Sequence, residues 1–467
     1  MSDRRAPERL VSAPRILLAT AAGYSNVGDD AIAAAILARL ADELPDVRLT
    51  VVGGRHLEDL PEAGRAARLG WRPFDRMTDA VRDADAVVIG GGGLLYDSTF
   101  RADVADVSRP SVQWLIRVAQ LATLARKERR QMMLYAVGAG PLVSGAGREL
   151  ARLAAETAAC VTVRDQYSRQ ALTNCGVRAS RIYVAADPAL ETAPPSAEQA
   201  EAEVRRWGLS RLPRPWIALN VRPWFRFQGV PLASRPKMDH LRESVEQAVR
   251  RIVEETGGSA IGIALQGGRD ADRPVLRRIL QNLVKRGRAA VVAPASPQSA
   301  QALIAQMEIA VGMRLHLHVF AANAQVPSVA LAYDPKVECF MSDLGMSEFA
   351  LAAGGATADA IAEAAMRALR QREQLREEVR RGRESMRERC AIPSRMLKDM
   401  LLGGPAEPAV AEAQDRRAKE TVWEAEHAAL EHYSESLERS ARIGVVGRAG
   451  EPVRWAMEAV RRLTGRA

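Results

Sequence analysis

The chain is poor in several residue types, and each shortage narrows what it can be. Its four cysteines, Cys160, Cys175, Cys339 and Cys390, are scattered without a C-x-x-C pair. That usage suits a reducing compartment and offers no structural zinc site. Aromatic residues are only 4% of the sequence, and histidine occurs six times in 467 residues. No apolar run approaches the ~18–20 residues of a membrane-spanning helix, and the opening MSDRRAPERL lacks the apolar centre of a secretory signal. A cytoplasmic location is therefore expected. No loop has the Walker A pattern G-x-x-x-x-G-K-[ST] or the dinucleotide pattern G-x-G-x-x-G, which argues against nicotinamide dinucleotides. Basic residues outnumber acidic ones 66 to 57, for a net charge of +9 and a pI near 9.7. The arginines are dispersed along helical stretches such as residues 369–389, with no dense basic stripe interleaved with aromatics. Nucleic acid is thus not an expected partner.

What is present reads as a soluble α/β protein. Apolar residues make up 47% and charged residues 26%, and the length exceeds what one core usually holds, so two domains with an appendage are expected. Short apolar runs ending in glycine-bearing loops alternate with helical spacing. Examples are RILLAT (15–20), ADAVVIGGGGLLYD (84–97), QMMLYAVGAGPL (131–142), WIALNVRPW (216–224) and SAIGIALQGGRD (259–270). Such alternation is the mark of parallel, doubly wound sheets. We read a first Rossmann-like domain over 14–190, a polar, proline-bearing linker (ETAPPSAEQAEAEVRRWGLSRLPRP), and a second Rossmann-like domain over 212–402. A long amphipathic helix at 359–389 is expected to pack back across the domain seam. Residues 403–467 form a helical basic tail. Its last stretch carries Val453, Ala456, Met457, Val460 and Leu463 on one face, flanked by Arg454, Arg461, Arg462 and Arg466. That pattern suits a surface or dimer helix, or peripheral contact with the anionic inner membrane face.

The stretch from Met307 to Val337 concentrates the chemistry. It predicts a strand (Ile309–Gly312), a helix (Leu315–Asn323) and a second strand (Ser328–Ala332). Arg314, His316 and His318 fall at the first joint, in otherwise apolar surroundings where ionisable groups are costly. Arg314 is a bidentate clamp for carboxylate or phosphate, with Arg222, at another strand end, completing a dianion site. His316 is placed to move a proton near neutral pH, and His318 reads as packing. In the first half, Gly28, Gly91, Gly92, Gly138 and Gly140 sit in loops at strand ends, where backbone can approach an anion or a sugar. Asp29, Asp97 and Asp165 follow strands there, as does Asp187; recognition of sugar hydroxyls and helix capping both account for them. No metal ligands are expected.

Seven motifs taken in order resemble the polysaccharide pyruvyl transferase family, particularly members acting on bacterial cell-wall polymers. They are GYSNVGDDAI (23–32), VVIGGGGLLYD (87–97), YAVGAGPL (135–142), VRDQYS (163–168), ADPAL (186–190), LNVRPW (219–224) and VGMRLHLHVFAA (311–322). The resemblance implies two Rossmann-like domains in a GT-B-like arrangement, the first on the acceptor side and the second on the donor side. It also implies phosphoenolpyruvate as donor substrate with no resident cofactor, and a glycan acceptor, lipid-linked in some settings. Arg222 and Arg314 would hold the donor's carboxylate and phosphate, and His316 would assist proton transfer. The segment after Asp97 looks longer than the family's, and the tail beyond residue 403 has no counterpart in it. Two other readings remain open: a GT-B glycosyltransferase using a nucleotide sugar, and a non-catalytic envelope-assembly protein of the same fold.

Overall fold

In the computed structural model, residues 13–71, 74–97, 110–223, 235–268 and 271–402 are described. The tail 403–467 and most of the segment following Asp97 lie outside them. Two parallel sheets form. The first contains β1 (Arg15–Ala19), β2 (Arg48–Gly53), β3 (Ala67–Gly70), β4 (Ala86–Leu95), β5 (Gln131–Ala139), β6 (Cys160–Val163) and β7 (Ile182–Val184), in the order β3-β2-β1-β4-β5-β6-β7. The second contains β8 (Trp216–Asn220), β9 (Ser259–Ile263), β10 (Ala289–Val292), β11 (Ile309–Gly312), β12 (Ser328–Ala332) and β13 (Ala350–Ala352), in the order β10-β9-β8-β11-β12-β13. In each sheet the order reverses once, between β1 and β4 and between β8 and β11. Such switch points open a crevice at the carboxyl ends of the strands. The predicted Rossmann-like doubly wound architecture is present in both halves.

The central strands are continuous apolar runs because both faces of each sheet are covered there. Alternate residues of β1 enter different cores: Ile16 and Leu18 belong to a core that continues into the second lobe, while Leu17 and Ala19 face a core of the first lobe alone. β5 divides the same way, with Met133 and Tyr135 on one side and Met132 and Leu134 on the other.

Two predictions about connections need correction. The proline-bearing linker contains a helix, Ala197–Arg206, started by a reciprocal capping box between Ser196 and Gln199. The single long helix expected over 359–389 is two: Ala358–Arg370, and Arg372–Leu401 beyond a break at Gln371. The second runs on through Pro393, where a helix would ordinarily kink or stop. Its first half stays with the second lobe, where the Arg383 Nε–H donates to Asn323 Oδ1 (3.0 Å) and Arg389 pairs with Asp343. Its second half lies on the first lobe, where the Ser394 hydroxyl donates to Glu43 (2.9 Å) and the Cys390 thiol to the Asp187 carbonyl (3.6 Å). The seam crossing anticipated from sequence is therefore made by this helix.

A second fastening joins the lobes at the crevice. Asn26, in the loop after β1, makes an isolated antiparallel bridge with Gln266, in the loop after β9. Val27 N–H donates to the Leu265 carbonyl (3.1 Å), and Gly267 N–H to the Ser25 carbonyl (2.8 Å). Among the described residues no helix is long and apolar enough to cross a membrane.

Leu397, fully buried on the seam helix, tests this tether. Leu397→Ala is expected to cost about 2–4 kcal/mol in urea unfolding and to raise protease cleavage between the lobes.

Candidate active site

The joint of β11 and the Leu315–Asn323 helix is held by a buried ion pair. Arg314 is the residue immediately before the helix, in extended backbone conformation with no side-chain cap. Its Nε donates to both oxygens of Asp272 (2.7 and 3.0 Å) and its Nη2 to Oδ1 (2.7 Å). Asp272 is fully buried and Arg314 is 9% exposed. Asp272 opens the Arg273–Lys285 helix, yet makes no capping bond. Its Oδ2 instead accepts from Asn220 Nδ2, Leu265 N–H and Gln266 N–H, each at 3.1 Å. Two desolvated charges are tolerated because the guanidinium forks onto the carboxylate and the remaining lone pairs are filled. The expectation that Arg314 and Arg222 face one anion directly therefore needs revision, since Asp272 already takes two of the Arg314 nitrogens.

His316, the second residue of the helix, lies across the crevice from the first lobe. A Cβ built on Gly28 would run into its Nδ1, so the glycine is what lets the ring approach. The His316 Nε2 stands 3.7 Å from Asp187 Oδ2, too far for a hydrogen bond, and has no hydrogen-bond partner among the described residues. Asp187 also receives Arg164 Nη1 (3.2 Å) and Ala189 N–H (3.1 Å). Arg164 is itself buried, its Nε 3.3 Å from Asp165 Oδ2. Its guanidinium occupies the place where a Gly138 side chain would be, 2.9 Å from a Cβ built there. Asp29 completes the group, receiving Asn26 Nδ2 at 2.6 Å.

The two aspartates are driven apart in acidity. Burial pushes the Asp29 carboxyl up, against the opposing pull of His316 and Arg164. Burial acts the same way on Asp187, but His316 and Arg164 outweigh it and hold that carboxyl down at about 2. Two carboxyls whose surroundings push their acidities in opposite directions are the arrangement from which acid–base roles arise.

A phenol links the remaining cations. Arg222 Nη1 donates to the Tyr333 hydroxyl (2.7 Å), and its guanidinium lies 5.0 Å from that ring's centre. Lys336 Nζ lies 5.8 Å from the same centre and pairs with Asp334 (2.8 Å). Burial alone would raise the Tyr333 phenol, but the charges of Arg222 and Lys336, with Arg314 adding to them, make it more acidic than usual. Tyr96, in the first lobe, is shifted the other way by burial and feels both Arg222 and Asp29. Arg164, Asp187, Asp272, Tyr333 and Lys336 thus join His316, Arg314, Arg222 and Asp29. Sequence reasoning had not singled out Arg164, Asp272, Tyr333 or Lys336. VRDQYS and the YDPK following β12 are the visible signals for Arg164, Tyr333 and Lys336, whereas no motif marks Asp272.

Other predicted residues do different work. The Asp97 oxygens accept from Val143 N–H (2.6 Å), Ser144 N–H (2.9 Å) and the Ser144 hydroxyl, so the carboxylate pins a turn and is buried. Asp165 caps the Gln166–Asn174 helix through Ser168 N–H (2.7 Å). Gly91 admits Ile32, Gly92 faces Asp29, and Gly140 faces Tyr167. A side chain at any of these glycines would meet the chain's own groups. His318 is fully buried: its Nε2–H donates to the Gly312 carbonyl (3.1 Å), leaving Nδ1 to accept from Ser328 (3.0 Å). Among the described residues no cluster of His, Cys, Asp and Glu is placed to hold a metal ion.

Comparison with known proteins gives a family and a fold. The family model described as polysaccharide pyruvyl transferase matches residues 26–335. No curated protein matches at the level of sequence. Among solved structures the chain is similar to UDP-GlcNAc 2-epimerase from Neisseria meningitidis bound to UDP-GlcNAc. The TM-score is 0.54 at 10% identity, covering 82% of this chain and 100% of that one. It is also similar to Alr3699/HepE from Anabaena in complex with UDP and glucose, at TM-score 0.54 and 12% identity, covering 83% and 99% respectively. At such identities the likeness concerns the fold, two parallel-sheet domains in a GT-B-like arrangement.

Two predictions follow from the site's electrostatics. Arg314→Ala leaves Asp272 charged and buried, and is expected to cost about 3–5 kcal/mol in urea unfolding. The second concerns His318, which burial pushes down to about 4. Below its ordinary value near 6.5 the unfolded chain binds a proton that the folded chain refuses, so this contribution to stability rises with pH between about 4 and 6.5. Asp30, raised by burial to about 6, acts in the opposite sense over much of that window. The readout is therefore the difference between wild type and His318→Asn. The wild type should gain about 2–3 kcal/mol relative to the variant from pH 4 to 6.5, then hold level.

Proposed function

We propose that this chain, which belongs to the polysaccharide pyruvyl transferase family, moves the pyruvyl group of phosphoenolpyruvate onto two hydroxyls of one sugar. The sugar would belong to a cell-surface polysaccharide or its lipid-linked precursor, and the product would be a cyclic ketal with release of phosphate. The observation that carries the reading is the gathering of Arg164, Arg222, Arg314, Lys336 and His316 around Tyr333, Asp29 and Asp187 at the crevice between the lobes.

The chemistry matches those groups. Phosphoenolpyruvate carries roughly three negative charges near neutral pH, most of them on phosphate. Arg222 and Lys336 supply positive charge on the Tyr333 side, and Arg314, held rigid by Asp272, adds a fixed guanidinium. In the overall reaction a proton adds to the methylene carbon, one hydroxyl oxygen bonds to C2, and a second replaces the C2–O bond to phosphate. One hydroxyl proton balances the new methyl group and the other leaves with phosphate. Asp29, whose carboxyl burial makes less acidic than usual, and His316, near anionic Asp187, are the groups suited to carry those protons.

The GT-B-like fold also hosts nucleotide-sugar chemistry, since both structural neighbours above were solved with UDP or a UDP-sugar. That competing reading is separable by assay. Full-length protein should be stabilised against heat by phosphoenolpyruvate and should release phosphate from it in the presence of cell-envelope glycan. His316→Gln should lower phosphate release at least about 100-fold and keep the stabilisation, whereas Arg222→Ala should lose the stabilisation. Release of UDP from a UDP-sugar, with no response to phosphoenolpyruvate, would overturn the proposal.

A further inference from the structure

A group of aromatic rings stands apart from the cations of the crevice, on the same rim of the first sheet. Tyr24 lies in the loop after β1, five residues before Asp29, and Trp71 directly follows β3. Trp114 and Arg117 belong to the Pro110–Lys127 helix. The Tyr24 and Trp114 rings meet edge to face at 5.4 Å, and Trp71 meets Trp114 at 5.8 Å. The Arg117 guanidinium lies 4.8 Å from the Trp114 ring centre, 5.1 Å from Trp71 and 5.9 Å from Tyr24. Its Nη1 also donates to the Tyr24 hydroxyl at 3.4 Å. In a chain with so few aromatics, three rings gather around one cation, Trp71 and Trp114 packing on the first lobe's core and Tyr24 standing outside it. Tyr24 is 40% exposed, while the neighbouring Trp71 is 93% buried with an indole N–H that has no acceptor among the described residues.

We infer that this cluster is a pyranose-binding platform that seats a sugar ring of the glycan acceptor on the exposed face of Tyr24. The axial C–H face of a pyranose is apolar and weakly positive, and it complements the negative face of an aromatic ring. Hydroxyls at the ring's edge meet donors of the Arg117 guanidinium, whose planar fork suits paired oxygens. Of the three rings Tyr24 alone is exposed, with Trp114 half-buried and Trp71 buried. That fits a single sugar and falls far short of the broad apolar patch by which a membrane or an amphipathic helix would dock. Its position fits as well. Ser25 and Asn26, next to Tyr24, are fastened to the second lobe through Gly267 and Gln266. A sugar on Tyr24 therefore lies just outside the seam, with its neighbour in the chain directed toward Asp29. The inference rests on the glycan-modifying reading above.

The test uses full-length protein with chitotetraose, β-1,4-mannotetraose and maltotetraose as probes, followed by saturation-transfer NMR and tryptophan emission. At least one probe is expected to bind and to change the emission. Tyr24→Ala should weaken that binding about fivefold to tenfold, Tyr24→Phe by less than about twofold, and neither should alter the heat stabilisation given by phosphoenolpyruvate. Tyr183→Ala removes the other tyrosine exposed among the described residues, on β7 at the far edge of the sheet, and should change nothing. Failure of all three probes to bind, an unaffected Tyr24→Ala, or an equal loss in Tyr183→Ala would each overturn the platform. Tyr24-dependent glycan binding in a protein indifferent to phosphoenolpyruvate would instead overturn the donor assignment and leave the platform standing.

Discussion

The buried pair of Arg314 and Asp272 is the constraint on which the rest of the crevice depends. Asp272 does more than neutralise an arginine. It fixes the amides of Leu265 and Gln266, and Leu265, Gln266 and Gly267 form the backbone to which Ser25, Asn26 and Val27 of the other lobe are fastened. That loop leads within two residues to Gly28, against which the His316 ring rests, and His316 follows Arg314 by two positions. The contacts close a ring: Arg314, Asp272, the β9 loop, the β1 loop, His316 and back. A displacement of any member moves the proton-carrying groups, because each is positioned by its neighbours rather than by a local turn.

Within that ring, glycine gives the site its density. Gly28 and Gly138 each yield the space of a side chain to a functional group from elsewhere in the chain, His316 and Arg164. The result is a small volume crowded with opposed charges, in which burial and neighbours act on each acid differently. Burial raises both Asp29 and Asp187, yet only Asp187 takes a direct hydrogen bond from the Arg164 guanidinium, and its carboxyl is held down where that of Asp29 is pushed up. The acid–base asymmetry is thus a matter of placement rather than of residue type.

Much of this was legible in the sequence wherever local pattern decides structure. The β11, helix and β12 bounds around Arg314 agree with the apolar runs that predict them, and His318 has the packing role its apolar setting implied. What was not legible depends on distant partners. Asp272 and Arg314 are 42 residues apart, and nothing near Asp272 distinguishes it from a helix cap. Asp97 looks like a ligand for sugar hydroxyls until the turn at Val143 and Ser144 is seen to consume its oxygens. The short edge strands β3 and β13 carry too few apolar residues to announce themselves, and the helix beyond Pro393 persists because tertiary packing outweighs the local penalty.

The helix Arg372–Leu401 has a consequence for how the chain comes to be folded. Its second half lies on the first lobe beside Asp187 and Glu43, so part of that lobe's surface is completed by residues made long after the lobe itself. A ribosome adding about 5–20 residues per second finishes β7 at Val184 well before it reaches Ser394, an interval of roughly 10–40 seconds. During that time the first lobe must keep an apolar face uncovered, in the company of whatever chaperone or ribosomal surface shields it. Its assembly is therefore tied to the synthesis of this helix, and a nascent chain halted before it would hold a sheet without its cover.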